Sequence, residues 1–264
     1  MARIPRPDME RVATLGDDVP FTRYIPSAIT LLALCSGATA IPLAMYGNWR
    51  MAVAAIVCAA VLDTMDGWVA RLIGAGSEFG AQLDSLADLV NFGIAPSILV
   101  YMWTLKTAGG AGWIFALLYC MCCAIRLARF NAEAPAPSDK PASHFTGLPT
   151  PAAACLILLP MQFTFQFGDM SFRNPLLTAA MIAVVAALMV SRIPTLSLKR
   201  LRVPPAARPL AFGFLAIVAA AAIVYPWITL STALLIYLTT IPVGVIRFAE
   251  ARRKAAHLLR EMND

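Results

Sequence analysis

Charge is what this sequence has least of. Only 14% of its 264 residues are Asp, Glu, Lys or Arg, while 59% are hydrophobic and the mean hydropathy is +0.72. Soluble domains carry charge on about a quarter of their residues, so no separate soluble domain of useful size is expected. Cysteine patterns that hold zinc or form disulfides are also missing. Cys35, Cys58, Cys120, Cys122, Cys123 and Cys155 all fall inside apolar runs and read as small buried apolar side chains. His144 and His257 lie in polar loop and tail stretches and read as solvated, not catalytic. The acidic residues of the first 25 positions fit neither a transit peptide nor a signal n-region. Ala38-Thr39-Ala40 resembles a small-residue cleavage site, yet the apolar stretch is longer than a typical h-region and more apolar runs follow.

What is there is a series of apolar runs of about 20 residues, the length that crosses a hydrocarbon core. Eight are read, at about 26–46, 51–73, 81–104, 111–129, 148–167, 175–191, 209–225 and 227–248, the last two meeting at Tyr225-Pro226-Trp227. The expected fold is all-α, a polytopic transmembrane bundle. Residues 1–25 and 249–264 are expected as cytoplasmic tails, around a membrane domain over 26–248 whose core is about 26–200. With both termini in the cytoplasm, all but three of the 21 Lys and Arg fall on the cytoplasmic side, the exceptions being Arg50, Lys106 and Arg173. That bias sets the orientation. It also accounts for the +6 net charge, including the Lys199-Arg200-Leu201-Arg202 cluster, through anionic lipid; no nucleic-acid partner is needed.

Against this apolar background, the stretch from Asp63 to Asp88 holds four aspartates. A carboxylate at bilayer depth is expensive and marks a functional site. On a helix, Asp66 lies about −60° from Asp63, with Gly67 at about +40°, Ala70 at about −20° and Arg71 at about +80°. One face therefore presents two acids, two residues with almost no side chain and a cation at its edge. Gly67 and Ala70 either permit close helix packing or leave room for a ligand. A short connection with Gly74, Gly76 and Ser77 turns the chain. Asp84 and Asp88 follow at i, i+4, Asn91 is projected onto their face, and Gly80 lies one turn before Asp84. Two antiparallel helices thus bring four carboxylates together near one membrane surface. Like charges this close need compensation, and all-oxygen donors select hard divalent cations. Phosphate chemistry commonly uses two such ions. A proton relay needs neither four clustered acids nor small neighbours. A divalent-cation transporter is the alternative from another class, but its acids belong at the midplane of an inverted repeat.

The pattern Asp63-x2-Asp66-Gly67-x2-Ala70-Arg71-x8-Gly80-x3-Asp84-x3-Asp88 resembles the signature of the CDP-alcohol phosphatidyltransferases at every fixed position. Asn91-Phe92-Gly93-Ile94-Ala95-Pro96, Arg126-Leu127-Ala128-Arg129-Phe130-Asn131 and Gly147-Leu148-Pro149-Thr150-Pro151-Ala152-Ala153-Ala154 are similar to the phosphatidylserine synthase branch of that family. The resemblance implies transfer of a phosphatidyl group from CDP-diacylglycerol to L-serine with release of CMP. It implies Asp63, Asp66, Asp84 and Asp88 as ligands of Mg²⁺ or Mn²⁺, two ions in all, with Asp88 also the general base. Gly67, Ala70, Arg71, Ser77 and Gly80 would serve CDP-diacylglycerol, together with Ser27 and Thr30 at the opening of the first span. Relatives often have Asn where Ser27 stands. Arg126 and Arg129, with Asn91 and Asn131, are the candidates for serine. Within the same chemistry the acceptor could instead be glycerol 3-phosphate, inositol phosphate or choline, although a phosphorylated acceptor calls for a denser cationic pocket. The resemblance further implies a homodimer, and the basic bias puts the protein in the cytoplasmic membrane with its site toward the cytoplasm.

Overall fold

The computed structural model describes residues 24–74, 77–132, 145–146, 148–168, 170–191, 194–195 and 208–239. His144, Gly147, the Lys199–Arg202 cluster, His257 and most of both expected tails lie outside them. Nine helices carry the fold among the described residues: α1 (Ile25–Met45), α2 (Trp49–Ile73), α3 (Glu78–Trp103), α4 (Gly110–Ala132), α5 (Thr150–Ile157), α6 (Leu159–Phe167), α7 (Pro175–Val190), α8 (Arg208–Val224) and α9 (Pro226–Thr239). The first four are long and apolar enough to cross a membrane. The pair α5–α6, bent by 46°, makes a fifth crossing if taken as one span. Among the described residues the last three expected spans hold apolar helices of 10–17 residues, and positions 240–248 of the last span lie outside them. One small departure from an all-helical chain is a two-residue antiparallel pairing of Phe145–Thr146 with Pro194–Thr195.

Helix α1 is built to be approached closely. Its buried positions are Pro26, Thr30, Ala33, Gly37, Ala40 and Ala44, a stripe of small residues at alternating spacings of four and three. In lipid there is little hydrophobic force between helices, so packing and hydrogen bonds hold them. The stripe lets α1 lie along α2 and against α3, and Ser36 Oγ donates to the carbonyl of Ala55 on α2 at 2.8 Å. At Gly37 the contact is tightest, because a Cβ there would collide with the side chain of Asn91.

Helix α3 is not uniform. Leu89–Ile94 form a π-turn, the kind of widening that clusters at functional sites. Pro96 follows and lacks the N–H that an α-helix would aim at the carbonyl one turn back. That carbonyl, of Phe92, accepts instead from the hydroxyl of the fully buried Tyr119 on α4 at 2.8 Å. A similar repair holds the α5–α6 bend, where Pro160 interrupts the ladder. Gln162, fully buried, donates to the carbonyl of Cys155 at 3.2 Å and accepts from Ser231 of α9 at 3.1 Å.

The two ends of the bundle use their cations differently. At the end opposite the acids, Arg173 Nε donates to Trp103 O at 2.8 Å and Arg50 Nη2 donates to Phe165 O at 3.0 Å. Both carbonyls belong to final helical turns, which lack intrahelical partners. Two of the three cations on the less basic side therefore satisfy helix ends.

Candidate active site

The acidic end of the bundle is organised by the hairpin α2–α3. Gly74 ends α2 in the left-handed conformation, with φ 66°, which favours glycine. Ser77 opens α3, its Oγ accepting from the backbone N–H of Gly80 at 3.0 Å, a standard N-terminal cap. The turn is short enough to set Asp63 and Asp66 of α2 opposite Asp84 and Asp88 of α3. Carboxylate oxygens of Asp63, Asp66 and Asp84 come within 4.8 Å of one another. Asp63 also touches Asp88, so it is the side chain shared by both halves of the group.

The donor set fits a hard divalent cation, since every converging atom is a carboxylate oxygen. Its orientation is fixed from outside. Thr30 Oγ1 lies 2.6 Å from Asp66 Oδ2 and 3.0 Å from Pro26 O. Its single proton is drawn to the nearer, charged acceptor. Asp66 is only 5% exposed, and hydrogen bonds from such neighbours hold a ligating carboxylate in one pose.

Beside the acids lies a cavity of about 180 Å³ lined by Pro26, Ser27, Thr30, Asp66, Gly67, Ala70, Ser77, Gly80, Ala81 and Asp84. Six of the seven residues expected to serve the nucleotide lipid line it, all but Arg71. The wall is made of small side chains and hydroxyls, with two carboxylates. Ser27 belongs to it: a Cβ on Gly80 would stand 3.0 Å from Ser77 Oγ and 3.8 Å from Ser27 Oγ. Arg71 lies back over Gly67, its Nη1 3.6 Å from where a Cβ would be. The missing side chain at Gly67 thus leaves space for both the cavity and the guanidinium.

The four residues expected around serine each make a different contact. Asn91 is 1% exposed and packed against Gly37, and its Oδ1 has no hydrogen-bond partner among the described residues. It lies within the π-turn over Leu89–Ile94. Arg129 Nη1 donates to Val190 O at 2.8 Å, closing the last turn of α7. Asn131 Nδ2 donates to Ser85 Oγ at 2.9 Å and ties the end of α4 to α3. Arg126 alone reaches toward the acids. Its Nη1 lies 3.4 Å from Thr150 Oγ1, which lies 3.5 Å from Asp88 Oδ2. Thr150 was not singled out from the sequence, although it stands in the block opening the fifth span.

Comparison with known proteins agrees with this geometry. A family profile described as CDP-alcohol phosphatidyltransferase matches residues 23–241. Proteins named "CDP-diacylglycerol--serine O-phosphatidyltransferase" are similar to this chain. The one from Mycobacterium leprae (strain TN) is 37% identical over 226 residues, covering 84% of this chain and 75% of that protein. The one from Bacillus subtilis (strain 168) is 40% identical over 171 residues, covering 64% and 88%. The one from Helicobacter pylori (strain ATCC 700392 / 26695) is 34% identical over 168 residues, covering 64% and 70%. The profile match begins just ahead of α1, ends just past α9 and takes in every helix that touches the acids, so the chain belongs to the CDP-alcohol phosphatidyltransferase family.

Proposed function

We propose that the protein is an integral membrane phosphatidylserine synthase, transferring the phosphatidyl group of CDP-diacylglycerol to the hydroxyl of L-serine and releasing CMP. The observation that carries this reading is the convergence of carboxylates from α2 and α3 beside a cavity walled by small residues and hydroxyls. The names of the similar proteins supply the acceptor. The reading includes two ions of Mg²⁺ or Mn²⁺ held by Asp63, Asp66, Asp84 and Asp88, which when bound neutralise charge on the pyrophosphate and on departing CMP.

The chain's own residues do the rest. Gly67, Ala70 and Gly80 let the nucleotide and its phosphates come close to the backbone. Ser27 and Ser77 offer hydroxyls, and Arg71 at the rim offers a planar fork suited to phosphate oxygens. An alcohol is a weak nucleophile at neutral pH, so a base within hydrogen-bond reach must take its proton as the new bond forms. Asp88, contacting Asp63 yet extending toward Arg126, fills that role. The serine oxygen attacks the phosphorus that bears diacylglycerol, the bond from that phosphorus to the bridging oxygen breaks, and CMP leaves with the electron pair. No covalent enzyme intermediate forms. Arg126 pairs with the serine carboxylate, whereas Arg129 and Asn131 already hold α7 and α3 in place. Asn91 serves by shaping the wide turn after Asp88.

In this reading the site faces the cytoplasm of a multi-pass protein with N and C termini inside, as the basic bias requires. The reading also carries the homodimer that the resemblance implies. The test is CMP release from CDP-diacylglycerol with serine, glycerol 3-phosphate, inositol phosphate and choline supplied in turn. Release with serine alone is expected. Turnover that does not depend on serine overturns the assignment, and Mn²⁺ flux into liposomes lacking any nucleotide lipid points to a transporter instead.

A further inference from the structure

We infer that Thr150 is a positioning residue for the transfer reaction, its hydroxyl joining Asp88 to Arg126 so that base and cation act at a fixed separation. The inference rests on the proposed transfer to serine and adds to it a residue from a third helix. Asp88 belongs to α3, Arg126 to α4 and Thr150 to the first turn of α5.

Three observations support it. Thr150 is 2% exposed, so its hydroxyl faces protein and not solvent. It stands between Pro149 and Pro151, and Pro149 has φ −58°; the flanking rings and the branched Cβ together restrict both backbone and χ1. Its Oγ1 lies 3.5 Å from Asp88 Oδ2 and 3.4 Å from Arg126 Nη1.

A hydroxyl has one proton and two acceptor lone pairs. Between a carboxylate, which accepts, and a guanidinium, which only donates, one arrangement satisfies all three groups. The Thr150 proton points to Asp88 Oδ2, and a Thr150 lone pair receives Arg126 Nη1–H. Both separations are longer than the usual range of hydrogen-bond lengths, and catalytic contacts of this kind shorten in the reacting complex.

The arrangement has two consequences. The hydrogen bond to Oδ2 fixes the direction in which the Asp88 carboxylate meets the acceptor's proton. Holding Nη1 of Arg126 leaves its Nε–H, buried and without a partner among the described residues, to meet the acceptor's carboxylate. During transfer the Thr150 hydroxyl keeps its own proton: the acceptor O–H proton passes to Asp88, the O–P bond forms and the P–O bond to CMP breaks.

The test uses the full-length protein in mixed micelles with CDP-diacylglycerol, reading kcat and the KM for each substrate separately. Thr150→Val keeps the shape and removes the hydroxyl. It is expected to lower kcat/KM for serine by about 10–100-fold, the usual consequence of misplacing a reacting group, while KM for CDP-diacylglycerol stays unchanged. Thr150→Ser is expected to restore activity to near wild type. Thr150→Ala takes the place of the valine variant if the latter does not accumulate, and thermal midpoints control for folding. The inference is overturned if the valine or alanine variant keeps wild-type constants for the acceptor, or if the serine variant is as impaired as they are, since that marks a packing role. If the wild type uses an alcohol other than serine, the proposed function fails by itself; the same variants are then measured with that alcohol, and the same fall and rescue are required of Thr150.

Discussion

Thr30 of α1 donates a 2.6 Å hydrogen bond to Oδ2 of Asp66 on α2, tying the first helix of the bundle to the acidic group at one of its ends. The link means that α1 does more than pack. It sets the pose of one carboxylate of the acidic trio from a residue that the acidic pattern itself does not contain.

Removing the link should therefore be read in cation affinity before anything else. Thr30→Val is expected to raise the Mn²⁺ concentration for half-maximal CMP release by about 10–100-fold, the typical effect of losing a partner behind a ligand. Thr30→Ser, which keeps the hydroxyl, should return it close to the wild-type value. A Mn²⁺ titration of each variant checks this.

The acids divide into a tight trio and a fourth that reaches toward Arg126, so their variants should differ. Asp84→Asn is expected to weaken cation binding and turnover together. Asp88→Asn should weaken cation binding too, but with excess Mn²⁺ supplied it should still lower kcat by about 10²–10⁴, the range for losing a general base. Calorimetric titration with Mn²⁺ beside the CMP-release assay separates the two.

At Gly37, α1 and α3 leave no room for a side chain, with Asn91 filling the space one would need. Gly37→Ala is expected to destabilise the bundle by about 1–3 kcal/mol through overpacking. Gly213→Ala, where a Cβ meets nothing within 4 Å, should be harmless. Thermal unfolding in detergent compares them.

Tyr119 supplies the proton that Phe92 O accepts beside Pro96. Tyr119→Phe leaves that buried carbonyl unsatisfied, which costs about 1–3 kcal/mol. The same unfolding measurement should register it.

Much of the site was legible because it obeys helical periodicity. Asp63, Asp66, Gly67 and Ala70 lie on one α-helical face, and Gly74 and Ser77 announce the turn, so the convergence of α2 with α3 follows from spacing alone. Asn91 lies inside the π-turn over Leu89–Ile94, and nothing in the residue spacing marks that turn. Arg129 was visible as a cation at a helix end, but its partner is a backbone carbonyl 61 residues away, and nothing in residue identity marks a carbonyl as free. Thr150 was hidden for a related reason: a buried threonine beside prolines reads as a helix start until Asp88 and Arg126 are seen on either side of it. The 46° bend between α5 and α6 is marked by Pro160, yet Gln162 and Ser231, which hold it, sit in separate apolar runs.

The most direct test is serine-dependent CMP release measured with chelator, with excess Mg²⁺ or Mn²⁺ restored, and with Asp63 and Asp84 both changed to alanine. The predicted result is no release in chelator, full recovery on adding back either cation, and none in the double variant under any condition. Release that continues in chelator, or in the double variant, would contradict the claim that these carboxylates hold the cation on which the transfer depends.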